Sequence, residues 1–438
     1  MPISDDYIYT IVDNHATIIA YTGSGGKITI PATLGGCSVT GIEMYVFFRS
    51  YSLISVTIPD SVTSIGEGAF QSCINLNSVN IPDNVTVISN YMFADCISLS
   101  SVAIPDSVTS IGISAFNGCI NLTSVNIPNG VTHLSDYVFL DCLRLTSVTI
   151  PDNVISIGIY AFFSCASLTN VTIPDSVTSI GEYAFYLCTS LTNVTIPDSV
   201  THIGDSVFFL CTNLTSIDVN NGNSNYSSLD GVLYNKLQTT LICYPAGKTG
   251  SFNVPNSVSS INWAAFYSCT NLTSVTIPNS VINIGGIAFY GCINLLSAKY
   301  YGNAPTMGSD VFNNVSIDFT VYYLYEKTGF DTPIWQPDKT TNLYKAEPFY
   351  SVTYDGNGNT SGIAPSDSDT TIPVSYNTGS LKKVGYAFRG WNTKADGTGT
   401  HYDPGTAFGV VHQNVILYAQ WKFSQLIISN TLITTVLT

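Results

Sequence analysis

"TIPDSVTSIGEYAFYLCTSLTNV", residues 172–194, is one phrase of a text that repeats itself. Shifted by 23 positions, almost the same string stands there again. Ile-Pro occurs at 58, 81, 104, 127, 150, 173 and 196 and returns at 277, with Val254-Pro255 between. Phe keeps the same step from 47 to 208 and resumes at 266, 289 and 312. Cys follows three places behind it, at 73, 96, 119, 142, 165, 188, 211, 269 and 292. Residues 219–253 are an enlarged unit between two groups that share one register. A fixed period of this length marks a stacked repeat architecture.

The unit can be read on residues 75–96, "NLNSVNIPDNVTVISNYMFADC". Leu76, Val79 and Ile81 point inward from a short strand. Pro82 removes a ladder donor and ends that strand, and Asp83-Asn84 supply turn chemistry. Val85 and Ile88 turn inward again, and Met92, Phe93 and Cys96 have the spacing of a single helical or 3-10 turn. One such coil leaves an apolar edge open above and below, so only stacking closes it. The expected fold is a solenoid of about eleven coils of 23 residues, built from short parallel β-strands and short helical or 3-10 turns and followed by a small β-rich domain.

The pattern L-x-x-V-x-I-P followed by S-V-T-S-I-G-x-x-A-F-x-x-C resembles the BspA-type leucine-rich repeat of microbial surface proteins. "SSLDGVLYNKLQTTLICYPAGK" in the enlarged unit is similar to the hairpin insertion such arrays carry. "YIYTIVDNHATIIAYTG" resembles their N-terminal cap hairpin, turned at Asp13-Asn14. Beyond "KAEPFY", Gly-Tyr-x-Phe-x-Gly-Trp (385–391) and Leu-Tyr-Ala-x-Trp (417–421) resemble a Listeria–Bacteroides repeat, the internalin B-repeat type. The expected division is a cap hairpin over 1–29, the solenoid over 30–320, a second cap and linker over 321–349, the β-module over 350–422 and a tail over 423–438.

Composition narrows the function. Of 438 residues only 10% are charged, while 27 Tyr and 21 Phe exclude a disordered chain. The net charge is −15, and Arg144 is the single basic residue between Arg49 and Lys236. No basic stripe exists for nucleic acid, and anionic membranes would be repelled. No apolar run is long enough for membrane insertion. The opening "MPISDDYIYTIV" carries acids where the basic start of an export signal would stand, and no anchor or sorting motif is visible.

Candidate reactive groups reduce to structure. The Cys column reads as a buried ladder, because stacked parallel Cβ vectors suit bridging poorly; Cys37 and Cys243 are out of register. His133 and His202 share a column three coils apart, too far for one ligand set. Asp60, Asp83 and Asp106, and again Asp152, Asp175 and Asp198, follow Ile-Pro as turn residues, with recruitment of a cation such as Ca²⁺ by the stacked carboxylates as the alternative. "DGNGN" and "DGTGT" are hairpin turns without the helix a phosphate loop needs. No catalytic residue, metal site or cofactor is expected.

Two surfaces remain. The concave strand face carries Ser55, Ser78, Ser101, Ser124, Ser147, Asn170 and Asn193 and is small and polar. Beside the core Phe, Leu140, Phe163, Tyr186 and Phe209 fill one column, continued by Tyr267 and Tyr290. Tyr137, Tyr160 and Tyr183 fill the next. Earlier coils have Gln71, Ala94 and Asn117 in the first of these columns, so bulk there is not demanded by every coil. Exposed apolar stripes mark interaction sites, and this one is the expected partner-binding surface. The resemblance implies a non-catalytic cell-surface or secreted protein, an adhesin contacting extracellular proteins or glycans. The alternative is a structural spacer or a surface-layer component that self-associates through the stripe.

Overall fold

The computed structural model describes residues 3–4, 6–337, 343–366, 368–377, 379–409 and 411–424; the apolar tail from 425 onward lies outside them. The chain is a parallel-strand solenoid of about fourteen turns with a strand-rich domain after it. This exceeds the eleven coils expected from the Phe and Cys columns, because the end coils keep the strand without the full 23-residue phrase.

Each central coil contributes two short strands to two parallel columns. In the first, Ser124–Asn126 pairs with Ser147–Thr149, which pairs with Asn170–Val171. In the second, Ser156–Ile157 pairs with Ser179–Ile180, which pairs with His202–Ile203. Partners in both columns are 23 residues apart, so the sequence period is the sheet register. The second column is a two-residue strand, too short to leave an alternation in the sequence.

The expected helical or 3-10 turn takes a different form. From Gly181 onward, N–H groups of Ala184, Tyr186, Cys188 and Leu191 donate to the carbonyl three residues back. Tyr183 and Leu187, however, have φ of 56° and 60°, which ends each turn before it becomes a helix. No helix occurs among the described residues. The kinks free alternate donors: N–H of Tyr183, Phe185 and Leu187 reach carbonyls of Asp205, Val207 and Phe209 in the next coil at 3.0, 3.0 and 2.9 Å. A left-handed non-glycine residue costs roughly 1–2 kcal/mol. Each inter-coil bond returns about 1 kcal/mol, so stacking offsets the strain that a lone coil could not.

Inside, the Phe column forms a continuous stack from Phe47 to Phe208, with centroids 5.0 Å apart at Phe47–Phe70 and 5.3 Å at Phe162–Phe185. The Cys column lies alongside, fully buried, and each Sγ donates to a carbonyl of the preceding coil, a Phe carbonyl in eight cases, as Cys188 to Phe162 at 3.2 Å, and that of Tyr244 for Cys269. Burial pushes the Cys73 thiol up to about 12 and those of Cys96, Cys142, Cys165 and Cys188 well above their ordinary range. The thiolate is the reactive form. A thiol reagent should therefore label half-buried Cys37 promptly in the native protein. It should react slowly with Cys243, which burial raises to about 12, and spare the nine column thiols until denaturation exposes all 11. Prompt native labelling of any column thiol would contradict the packing.

The chain divides into two compact units. Among the described residues, the first holds 3–4, 6–297, 305–319 and 337. It opens with the hairpin Tyr7–Val12 and His15–Tyr21, turned at Asp13 and Asn14 with φ of 50° and 62°. Its enlarged coil is an antiparallel meander, Tyr226–Leu229, Val232–Asn235 and Thr240–Cys243, whose last strand rejoins the second column beside Ser260–Ile261.

Among the described residues, the second unit holds 298–304, 320–336 and those from 343 to 424. Residues 344–349, read as part of a linker, form a strand parallel to Thr320–Leu324, in which Tyr344 and Ala346, two residues apart, turn to one covered side. Five more strands make one sheet in the order Ser368–Asp369, Ser351–Asp355, Val415–Phe423, Tyr386–Asn392, His401–Tyr402. Trp391 is fully buried there, edge-on to Tyr354 at 4.8 Å, and its Nε1–H donates to the Ser375 carbonyl. The Trp of the Gly-Tyr-x-Phe-x-Gly-Trp motif is thus the centre of the module's core.

Candidate binding face

The kinked turns carry the aromatic columns of the first unit. Tyr137, Tyr160 and Tyr183 occupy the left-handed position itself, with φ of 59°, 55° and 56°. Their rings stack at 5.2 and 4.8 Å, nearly parallel. In the neighbouring column Phe163 stacks on Tyr186 at 4.9 Å, and Phe209 on Tyr267 at 4.8 Å. Tyr267 stacks on Tyr290 at 5.3 Å. Tyr186 and Phe209 are tilted at 6.2 Å, the loosest step. The two columns also meet each other, Tyr160 with Phe163 and Tyr183 with Tyr186. Leu140 heads the longer column. The structure therefore brings all the predicted residues onto one face, and Phe209–Tyr267 carries the stack past the enlarged coil.

All nine are half-buried. Parallel rings about 5 Å apart cover one another's faces, so the surface offers ring edges and phenolic hydroxyls rather than open π-faces. Edges carry the positive end of the ring quadrupole. Burial, with neighbouring tyrosines adding to it, raises the Tyr160 and Tyr186 hydroxyls above their ordinary range, so they remain protonated donors. The face is a periodic row of hydroxyls on an apolar support.

Residues outside the predicted set belong with it. Trp263, 46% exposed, stacks on Phe209 at 5.6 Å. Tyr45 and Phe48 stand in the same two columns at the start of the array, edge to face at 5.7 Å, with the Arg49 guanidinium over Phe48. Gly68 has φ of 57°, and a Cβ there would lie 2.3 Å from the Tyr45 ring, so glycine is what lets that ring lie across the next coil. Counting back by the period from Leu140 reaches Phe48, a signal available in the sequence.

The other candidates stay dispersed. Asp60, Asp83, Asp106, Asp152, Asp175 and Asp198 are exposed in turns closed by bonds such as Val177 N–H to the Pro174 carbonyl. Among the described residues, no three His, Cys, Asp or Glu side chains could hold a metal ion together. The first strand column presents a shallow depression of about 410 Å³ lined by Asn170, Thr172, Asp175, Asn193, Thr195 and Asn220. No described helix is long and apolar enough to cross a membrane.

Comparison with known proteins agrees with this geometry. A family model described as BspA type leucine rich repeat region, in six copies, matches residues 40–154, 132–243 and 242–322. A Listeria-Bacteroides repeat domain matches 350–420. A solved leucine rich cell surface protein of Faecalibacterium prausnitzii A2-165 is 32% identical over 80% of this chain and 94% of its own, with a TM-score of 0.55. Two proteins of Evansella cellulosilytica, provisionally named a membrane protein and a Gly-rich membrane protein, are 34% and 39% identical over 120 and 93 residues. Those matches take in 25% and 20% of this chain, which spans 18% and 10% of theirs. The repeat matches cover without a break the coils whose Phe and Cys stacks build the solenoid, and the chain belongs to the BspA-type leucine-rich repeat family.

Proposed function

We propose that the chain is a non-catalytic binding protein of the cell surface, an adhesin that contacts extracellular proteins or glycans through the aromatic face. The observation that carries this reading is the stacked row from Phe163 to Tyr290. It is confined to part of the array, so packing alone does not require it. Tyrosine supplies large, rigid contact area with a polar tip and is favoured in interfaces. The Faecalibacterium relative is described as a cell surface protein, which supports the location.

The test is binding of the protein to arrayed matrix proteins, mucins and glycans at physiological salt. Tyr160→Phe, Tyr183→Phe and Tyr186→Phe together keep the stack and remove three hydroxyls. A bound partner should be weakened by at least about fivefold, the worth of one hydrogen bond. Phe163→Ser, Tyr186→Ser and Phe209→Ser together should abolish binding. Binding untouched by both sets would move the site to the polar depression at Asn170 and Asn193. A concentration-dependent sedimentation coefficient with an unresponsive array would favour the self-associating alternative.

A further inference from the structure

The enlarged coil interrupts a rule that every other central coil obeys. Three N–H groups per coil, at the two left-handed positions and the core Phe between them, donate to the next coil. Tyr183, Phe185 and Leu187 do so, as do Ala264, Phe266 and Ser268 toward Gly286, Ala288 and Tyr290. In the coil before the insertion these groups are Ser206, Phe208 and Leu210. Among the described residues none of the three donates to any acceptor. In the chain that follows, the second-column strand Thr240–Cys243 leads straight to Tyr244 without the left-handed residues of a kinked turn, and the rung resumes only with Tyr244 N–H to the Ala265 carbonyl at 2.8 Å.

At this break lies a cavity of about 140 Å³. Its apolar wall is Phe209, Leu233, Ile242 and Trp263. Ser206 lines it with a buried Oγ that has no hydrogen-bond partner. Tyr226 lines it too; its oxygen accepts the Ile203 N–H at 3.0 Å, which leaves its own proton to give. Buried polar groups are normally paired. Four donors on residues that line this space, the Ser206 Oγ, the Tyr226 hydroxyl and the Ser206 and Phe208 N–H groups, call for an acceptor. Asp205 at the rim and the net charge of −15 disfavour a carboxylate, so the acceptor is a neutral carbonyl. Cavities of ~150 Å³ admit a single small ring, and the apolar wall provides for a methyl group.

We infer that this cavity binds an acetamido group, its carbonyl taking the Ser206 and backbone donors and its methyl packing on Phe209 and Trp263. Two sources share that chemistry, an N-acetylated amino sugar and an N-acetylated lysine side chain. The site lies in the coil junction rather than on the tyrosine hydroxyl row, and it stands whether or not that row binds a partner.

The experiment titrates the full chain with N-acetylglucosamine, with N-acetyl-lysine methyl ester and with glucose, followed by calorimetry and by hydrogen exchange of residues 206–210. Saturable binding of an acetamido compound, with no binding of glucose, is expected, and the amides of Ser206 and Phe208 should exchange more slowly when it is bound. Which of the two compounds binds tighter assigns the source. Ser206→Ala and Trp263→Ala should each weaken binding about five- to tenfold with the fold intact by circular dichroism. The inference is overturned by any of four results: no acetamido compound binds, glucose binds equally well, both variants bind like the parent, or the Ser206 and Phe208 amides exchange as before at saturation.

Discussion

Asp369→Ala is expected to destabilise the second unit by about 3 kcal/mol, the lower end of what losing one member of a buried ion pair costs. Asp369 is fully covered, and one carboxylate oxygen accepts Lys299 Nζ at 2.7 Å and the Tyr301 hydroxyl at 2.5 Å. The other accepts the Thr371 N–H at 3.0 Å and the Thr371 hydroxyl at 2.5 Å. Lys299 keeps 16% exposure and lies over the Phe349 ring, so the lysine left behind retains some water and some π contact, which limits the loss. Converting the pair together, Lys299→Met with Asp369→Leu, should be much milder, because no charge is then stranded. Burial alone would raise the Asp369 carboxyl, but hydrogen bonds from Lys299, Thr371 and Tyr301 outweigh it and hold the carboxyl below its ordinary value. A group depressed in the folded state contributes stability above its unfolded pKa of ~3.9 and loses it as pH falls through the folded value. Urea midpoints of wild type and Asp369→Ala should therefore differ most at neutral pH and converge in strong acid. A difference independent of pH would mean the carboxylate is not the stabilising form.

That cluster was invisible in the sequence. Lys299 and Asp369 lie 70 residues apart in chain regions with no shared period. The solenoid, in contrast, was legible because its register is its period: Ser124, Ser147 and Asn170 pair at the same 23-residue step that their names reveal. The columns of Tyr and Phe were legible for the same reason. What their rings do was not, since spacing places a side chain on a face without fixing whether it meets solvent with its face or its edge. The kinks are not announced by Tyr183 and Leu187 themselves, because bulky residues rarely adopt positive φ; the only trace is in their columns, where Gly68, Asp95, Gly118, Asp141 and Gly291 stand at the same step. Only the stacked neighbour, which receives the freed N–H groups, makes that conformation worthwhile. The cavity beside Ser206 is the same rule in its absence. An insertion was plain in the sequence, but the donors it leaves without acceptors follow from geometry alone.

Phe162→Ala should be among the most damaging single changes in the array, at about 4 kcal/mol. The ring is fully buried between Phe139 at 5.5 Å and Phe185 at 5.3 Å, so its loss opens a void with an aromatic face on either side. Phe208→Ala should cost roughly half as much. Phe208 keeps 5% exposure, stacks on Phe185 at 5.8 Å and borders the existing cavity, so less packing is lost. In a solenoid each coil is held by its neighbours, and the weakest interface decides where the array parts first. In the native protein that interface follows Phe208, where three inter-coil hydrogen bonds are missing. Hydrogen exchange under mild urea should thus release residues on the two sides of the enlarged coil as separate units. Phe162→Ala should create a second opening among the coils before it, so that exchange around Phe139 and Phe185 becomes as fast as that around Phe208. Uniform loss of protection along the whole array would instead mean that the coils unfold as one block and that the missing rungs cost the interface nothing.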